Sequence, residues 1–163
     1  MSNILIRRAI PADAEQLWKI LHAVIQTGET YSFAPETDKK TLLDYWLSSH
    51  VWTYVALIEN EIVGTYLIKE NHAGQGAHVA NASFMVAPTR QGFGIGKALG
   101  MHALAEAKSL GFLAMQFNLV VSTNTQAVAL WKRLNFNIVG QLPQVFKHPK
   151  LGFVDAFVMH RFL

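Results

Sequence analysis

Phe84-Met85-Val86-Ala87-Pro88 leads through Thr89-Arg90 into Gln91-Gly92-Phe93-Gly94-Ile95-Gly96-Lys97-Ala98-Leu99. An apolar, β-prone run ends at a proline, three glycines follow at alternate positions, and a helical pattern begins. Ile95, Leu99, Ala103 and Leu110 recur at helical spacing, with Ala107 between them, and Gly111 stops the run. The predicted unit is strand, glycine turn, helix. Glycine removes the Cβ atoms that keep a ligand off the backbone. The first turn of a helix presents unpaired N–H groups at the positive end of its dipole, so this turn is an anion site, and most naturally a phosphate site.

Spacing separates the phosphate motifs. A nucleotide-hydrolase loop, G-x-x-x-x-G-K-[ST], fails because only three residues separate Gly92 from Gly96 and Ala98 follows Lys97, with no hydroxyl for magnesium. A dinucleotide fingerprint, G-x-G-x-x-G, needs glycine where Lys97 or Leu99 stands. What fits is Q/R-x-x-G-x-G/A, filled by Gln91, Gly94 and Gly96. Downstream, Asn124, Ala127, Leu130 and Phe136 fill most of a second pattern, N-x-x-A-x-x-L-Y-x-x-x-G-F, with Trp131 at its tyrosine position. With both motifs the chain resembles the GCN5-related N-acetyltransferase family.

That resemblance implies acetyl-CoA as cofactor. Its pyrophosphate would lie on Gln91, Gly92, Phe93, Gly94, Ile95, Gly96 and Lys97, and its pantetheine arm along Met85, Val86, Asn124 and Trp131. Asn124 also reads as a helix cap on sequence grounds alone. Asn135 replaces the motif's glycine and tolerates the left-handed conformation that a helix end needs. Trp131 is the larger departure. Many relatives carry a tyrosine that protonates the departing thiolate, and an indole N–H cannot serve as that acid. Water or another donor does so, or the thiolate, with a thiol pKa of about 8.5, leaves unprotonated.

The rest of the chain bounds the reading. Its 163 residues, about half of them hydrophobic and few charged, fit one domain, 1–163, with a substantial core. No apolar run reaches the roughly 18–20 residues that span a bilayer, and Met1 to Arg8 lacks a signal-peptide core. The absence of cysteine excludes a disulfide framework and a nucleophilic thiol, and fits a cytoplasmic protein. The formal charge of +3 lies in scattered pairs such as Arg7-Arg8 and Lys132-Arg133, which argues against nucleic acid and suits a polyanionic cofactor. His72 and His78 belong to no metal-ligand spacing, so no metal is expected.

In chain order, Ile4 to Arg8 predicts a strand, and Pro11 and Asp13 start a helix with Leu17, Ile20, Leu21, Val24 and Ile25 as its apolar face. Thr37-Asp38 caps a second helix. Strands follow at Val51 to Ile58, Ile62 to Lys69 and His78 to Val86, then the glycine-led helix and a strand at Leu113 to Val121. A helix over Ser122 to Phe136 and closing strands at Asn137 to Phe146 and Val154 to Phe162 complete the chain. The order β-α-α-β-β-β-α-β-α-β-β is an α/β layout with a mixed, mostly antiparallel sheet flanked by helices, the order of the acetyltransferase fold. The apolar closing strands offer a surface for a homodimer.

The reaction that the resemblance implies is direct attack of a neutral amine on a thioester. It needs proximity, a backbone N–H donor near Met85-Val86 for the developing negative oxygen, and a proton route. Asn81 and Asn118 are lone amides in otherwise small or apolar strands, and such groups require partners when buried. His78 to Val86 and Phe117-Asn118-Leu119-Val120 look like strands of acetyltransferases that detoxify proline analogues such as azetidine-2-carboxylate. There the asparagine matching Asn81 supports catalysis and the one matching Asn118 grips the acceptor carboxylate. The Glu29-Thr30-Tyr31-Ser32-Phe33 loop and Lys147-His148 are reminiscent of phosphinothricin-type acetyltransferases, which makes Glu29, Tyr31 and Phe33 acceptor-side candidates beside Asn118 and Leu119 of the strand above. Glu29 and His148 are candidate bases; each also has an ordinary reading, as an exposed carboxylate and a solvated turn histidine, and water is the third route. The acceptor is thus a small amine or imino acid, with a polyamine, a protein N-terminus, or a silent acetyl-CoA-sensing module as alternatives.

Overall fold

The computed structural model describes residues 4–163; Met1 to Asn3, part of the N-terminal reading above, lie outside the described residues. The elements are β1 (Leu5–Arg8), α1 (Ala14–Ile25), α2 (Lys39–Trp46), β2 (Trp52–Ile58), β3 (Glu61–Glu70), β4 (Val79–Val86), α3 (Ile95–Ser109), β5 (Ala114–Val121), α4 (Thr125–Arg133), β6 (Asn137–His148) and β7 (Gly152–Phe162). This is the order expected from the sequence. The strands form one seven-stranded sheet, β1-β2-β3-β4-β5-β7-β6. Every neighbouring pair is antiparallel except β4 and β5.

Strand alternation sorts the core into two layers. Val55, Leu57, Leu67 and Met85 face α1 and α2, where Leu17, Leu21, Ile25 and Trp46 are buried. Tyr54, Ala56, Tyr66, Ile68 and Ala82 face α3 and α4, against Ile95, Leu99, Ala103 and Trp131. Each fully buried aliphatic side chain of this kind contributes about 2 kcal/mol relative to exposure. The apolar stripe read for α3 holds from Ile95 to Ala107, but Leu110 is exposed: it lies past the helix end, where Gly111 turns at φ +91°.

Two glycines set how closely the helices approach. A Cβ on Gly64 of β3 would stand 3.0 Å from Leu99 Cδ1 and 3.1 Å from Ile95 Cγ2. A Cβ on Gly100 would meet Leu134 Cδ1 at 2.6 Å, so α3 lies directly on α4 as well as on β3. At the chain's other end, Asp13 is buried and holds Arg7 through two bonds of 2.7 and 2.8 Å, while also accepting the Ile10 N–H at 2.8 Å. The guanidinium keeps that carboxyl below its usual range. Arg7 is therefore a structural cation and not ordinary solvated charge.

The capping expectations hold. Asp38 Oδ1 accepts the Thr41 N–H at 3.0 Å, Asn124 Oδ1 accepts the Ala127 N–H at 3.2 Å, and Asn135 sits at φ +61°. The helix read over Ser122 to Phe136 is shorter, because Ser122 and Thr123 lead up to the cap at Asn124 and its last residues turn away at Asn135. The closing strands are longer than read. β6 absorbs the irregular stretch at Pro143-Gln144-Val145 as a bulge, with the Gln144 N–H donating to Asp155 at 2.9 Å.

Candidate active site

The parallel strands β4 and β5 pair only at Val79–Ala114 and Ala80–Met115, and then part. Asn81 stands at the point of parting. Its Nδ2 donates to the Gln116 carbonyl at 3.1 Å, so a side chain satisfies a group that would otherwise bond the neighbouring strand. On β5 the register against β7 slips between Phe117 and Val120, a bulge that holds Asn118 and Leu119. Bulges re-aim side chains, and this one sends Asn118 back toward Asn81. The oxygen of Asn71, just past β3, accepts from Asn118 Nδ2 at 2.8 Å and from Asn81 Nδ2 at 3.3 Å. Gln116 Nε2 donates to Asn118 Oδ1 at 2.9 Å. The sequence reading found two members of this network and missed Asn71 and Gln116.

Two cavities meet at the parting. The first, about 420 Å³, runs through the sheet, from Phe33 and Tyr45 on the α2 side, past Asn81, Asn118 and Leu119, to Trp131 and Ala127 on α4. The second, about 590 Å³, is lined by Glu29, Met85, Val86, Gln91, Thr125 and His148 among others. Thr30, Tyr31, Phe84 and Asn124 belong to both. The Tyr31 hydroxyl donates to the Phe84 carbonyl at 2.5 Å and accepts the Phe84 N–H at 2.8 Å, filling the ladder position that β5 has left. Burial pushes this phenol well above its ordinary pKa, so it remains a neutral donor and acceptor.

That contact fixes the parity of β4. Phe84 presents its backbone to the cleft, so Val86, two residues on, shares that side, whereas Ala87 donates to Val63 of β3 at 2.9 Å. Met85, between them, pairs with Thr65 and buries its side chain against α1 and α2. Of the two residues proposed from sequence as backbone donors, Val86 has an N–H on the open side; Met85 lines the cavity but turns its N–H to β3.

Directly beyond Val86 lies the glycine loop. Gly92 and Gly94 have φ of +84° and +79°, and a Cβ on either would meet nothing within 4 Å. They serve the left-handed turn and leave open approach to the backbone. The Ala98 N–H bonds to the Gly94 carbonyl at 3.0 Å, so the N–H groups of Ile95, Gly96 and Lys97 precede the first intrahelical bond. Gln91, Phe93 and Lys97 are exposed around them, while the Ile95 side chain is buried in the core and contributes its backbone alone. A polyanion with an extended arm fits this arrangement: the arm has the open edge of β4 at Val86, and Asn124, whose oxygen caps α4, keeps its amide N–H groups for the cleft.

Trp131 packs between Phe84 and Phe117, both at 4.7 Å between ring centres. Every buried side-chain nitrogen and oxygen among the described residues has a partner, and none accepts from the Trp131 indole, so its N–H is open to the cleft that it lines.

Neither candidate base is free. Glu29 is ion-paired with Lys150 at 2.9 Å, which holds its carboxyl below the usual range. His148 is buried at the wall of the second cavity; its Nδ1 accepts the N–H groups of Lys150 and Leu151 at 3.2 and 3.3 Å. A neutral imidazole bonded in this way carries its proton on Nε2 and has no lone pair left for an incoming amine.

Residues 18–136 match the model of the acetyltransferase (GNAT) family. The chain belongs to that family. Among curated relatives, N-acetyltransferase aca1 of Schizosaccharomyces pombe is 35% identical over 101 residues, 61% of this chain and 48% of that protein. Mycothiol acetyltransferase of Paenarthrobacter aurescens is 27% identical over 144 residues, 82% of this chain and 42% of that protein. The GNAT chain thus spans about half the length of these two relatives. A GCN5-related N-acetyltransferase from Kribbella flavida superposes with a TM-score of 0.94 at 38% identity, over 98% of both chains. A phosphinothricin acetyltransferase from Sinorhizobium meliloti, solved with AcCoA, shares the fold at TM-score 0.84 and 24% identity, over 100% of this chain and 89% of that one.

Proposed function

We propose that this GNAT protein transfers an acetyl group from acetyl-CoA to the amino or imino nitrogen of a small amino-acid-like acceptor, a proline analogue or a phosphinothricin-like compound. One observation carries the reading: β4 and β5 part beside a helix whose first N–H groups are free, which opens a cleft through the sheet from an anion cradle to an amide-lined chamber. Acetyl-CoA, when bound, supplies an acetyl group activated as a thioester. The loop from Gln91 to Lys97 binds its phosphates, and Val86, Asn124 and Trp131 flank its arm.

The remaining work falls to the chain's own groups. Tyr31 occupies the Phe84 N–H, so Val86 is the backbone donor left for a carbonyl oxygen in the cleft, and one such donor is worth about 3 kcal/mol. Asn81 keeps the strands apart, Asn118 binds the acceptor's carboxylate, and Leu119, Tyr31 and Phe33 bound its apolar part. The amine proton leaves to water, since the Glu29 carboxylate is engaged with Lys150 and His148 offers an N–H. Such an acceptor suits a role in amino-acid-analogue detoxification in the cytoplasm. The test is CoA-thiol release from acetyl-CoA against azetidine-2-carboxylate, 4-hydroxyproline, phosphinothricin, methionine derivatives, spermidine and a peptide. Turnover confined to amino and imino acids is expected; turnover on spermidine or peptide alone sinks the acceptor assignment. Trp131 and the lack of a free base favour a second reading, an acetyl-CoA-sensing module, which would bind acetyl-CoA and release no thiol on any acceptor.

A further inference from the structure

Lys69 lies in register with Asn81 across β3 and β4, so the two side chains stand on the same face of the sheet, the face that α2 covers. Its Nζ donates to the Tyr45 hydroxyl at 3.0 Å and lies 5.2 Å from the centre of that ring. Tyr45 is a lining residue of the first cavity, which puts the ammonium one hydroxyl away from the chamber that holds Asn81 and Asn118. The mount is rigid. Trp46, the next residue, is fully buried with its indole bonded to Thr65 at 3.0 Å, and Phe33 meets the Tyr45 ring edge-on at 5.3 Å.

The chemistry of this rim is one-sided. Lys69 is half-buried, and no ion pair among the described residues includes it. An ammonium only donates, so the Tyr45 oxygen accepts from it and the phenol's own proton is directed elsewhere. The Asn71 oxygen takes both the Asn81 and Asn118 amides, which leaves the Asn71 NH2 as a further donor. No aspartate or glutamate lines the first cavity. A cation, a phenol and amide N–H groups with no carboxylate beside them complement an anion.

We infer that Lys69, positioned by Tyr45, is the counter-ion for the acceptor's anionic group and restricts this GNAT protein to amino and imino acids over uncharged or cationic amines. The inference rests on the reading of the first cavity as the acceptor site, and it adds a determinant that no motif marks. The experiment compares wild type and Lys69→Met on azetidine-2-carboxylate and on its uncharged carboxamide. Steady-state kinetics is combined with calorimetric binding of each compound to the CoA-loaded protein. Wild type is expected to favour the acid. In Lys69→Met the KM and the dissociation constant for the acid rise roughly tenfold, the size of one lost charge-assisted contact, while kcat and the carboxamide's constants hold, and Lys69→Arg recovers most of the loss. An acid KM unchanged in Lys69→Met, or equal losses on acid and carboxamide, overturns the role of Lys69 and leaves the acceptor class standing. A wild type that acetylates neither compound but turns over spermidine overturns both.

Discussion

The cleft has two walls of different construction. On the cofactor side the groups that face the opening belong to the backbone: the N–H groups of Ile95, Gly96 and Lys97 ahead of the first helical bond, and the Val86 N–H by strand alternation. On the other side they belong to side chains: Asn81, Asn118 and Tyr45 line the chamber, the first two held by Asn71 and Gln116 and the third by Lys69. A backbone wall has a position that the fold fixes and little freedom to change its chemistry. The side-chain wall can change its chemistry by single substitutions at positions such as Tyr45 and Lys69, whose side chains bond each other and not the strand ladder. On the proposed function, this construction fixes the donor and leaves the acceptor free to change.

Conformational change at Gly94 tests the backbone wall most severely. Gly94→Val places a branched side chain at φ +79°, a left-handed position that costs an L-residue about 1–2 kcal/mol. Distorting the helix start removes charge-assisted bonds, so CoA binding measured by calorimetry should weaken on the order of 100-fold. Retention of tight binding would mean that the glycine turn does not carry the phosphates. Next in size is Asn81→Leu, which leaves the part-buried Gln116 carbonyl without its donor and should lower stability in urea by about 1 kcal/mol. Stability equal to wild type would show that the strands part without the wedge, and the contrast between the walls would lose its acceptor half.

The smallest effect belongs to Glu29→Gln. Glu29 and Lys150 are exposed, so the acceptor KM should change roughly twofold or less and the change should shrink with salt. Its sign with pH follows from the lowered carboxyl. The pair is intact above the ordinary glutamate range and is lost as pH falls through the lower folded value, so variant and wild type should converge in acid. A persistent difference at low pH would assign Glu29 a role apart from Lys150.

The backbone wall was legible because its information is local. Glycines at 92, 94 and 96 between a proline and an apolar stripe specify a turn whatever surrounds it, and Asn124 specifies a cap by its own neighbours. The side-chain wall depends on register. Asn81 and Asn118 stood out as amides in apolar strands, but Asn71 reads as an ordinary turn residue and Gln116 as a polar strand position. Lys69 reads as the end of a strand until β3 and β4 are aligned. The Arg7–Asp13 pair was hidden for a similar reason: it closes across a turn. His148 read as solvated because nothing in the sequence says that the hairpin folds onto the loop at Glu29.

At Gly64 an added Cβ would stand 3.0 Å from Leu99 Cδ1 and 3.1 Å from Ile95 Cγ2, so glycine lets β3 and α3 pack closely. Seated this closely, the helix holds the free amide groups at its start at a set span from the Val86 amide on the adjoining strand. The two work as the jaws of a calliper. On the proposed function, a donor would be sorted by the length of the arm between its phosphates and its thioester before the acyl group is felt at all. A simple acetyl thioester of a small thiol, with the same reactive bond and no phosphate, is held at one end only.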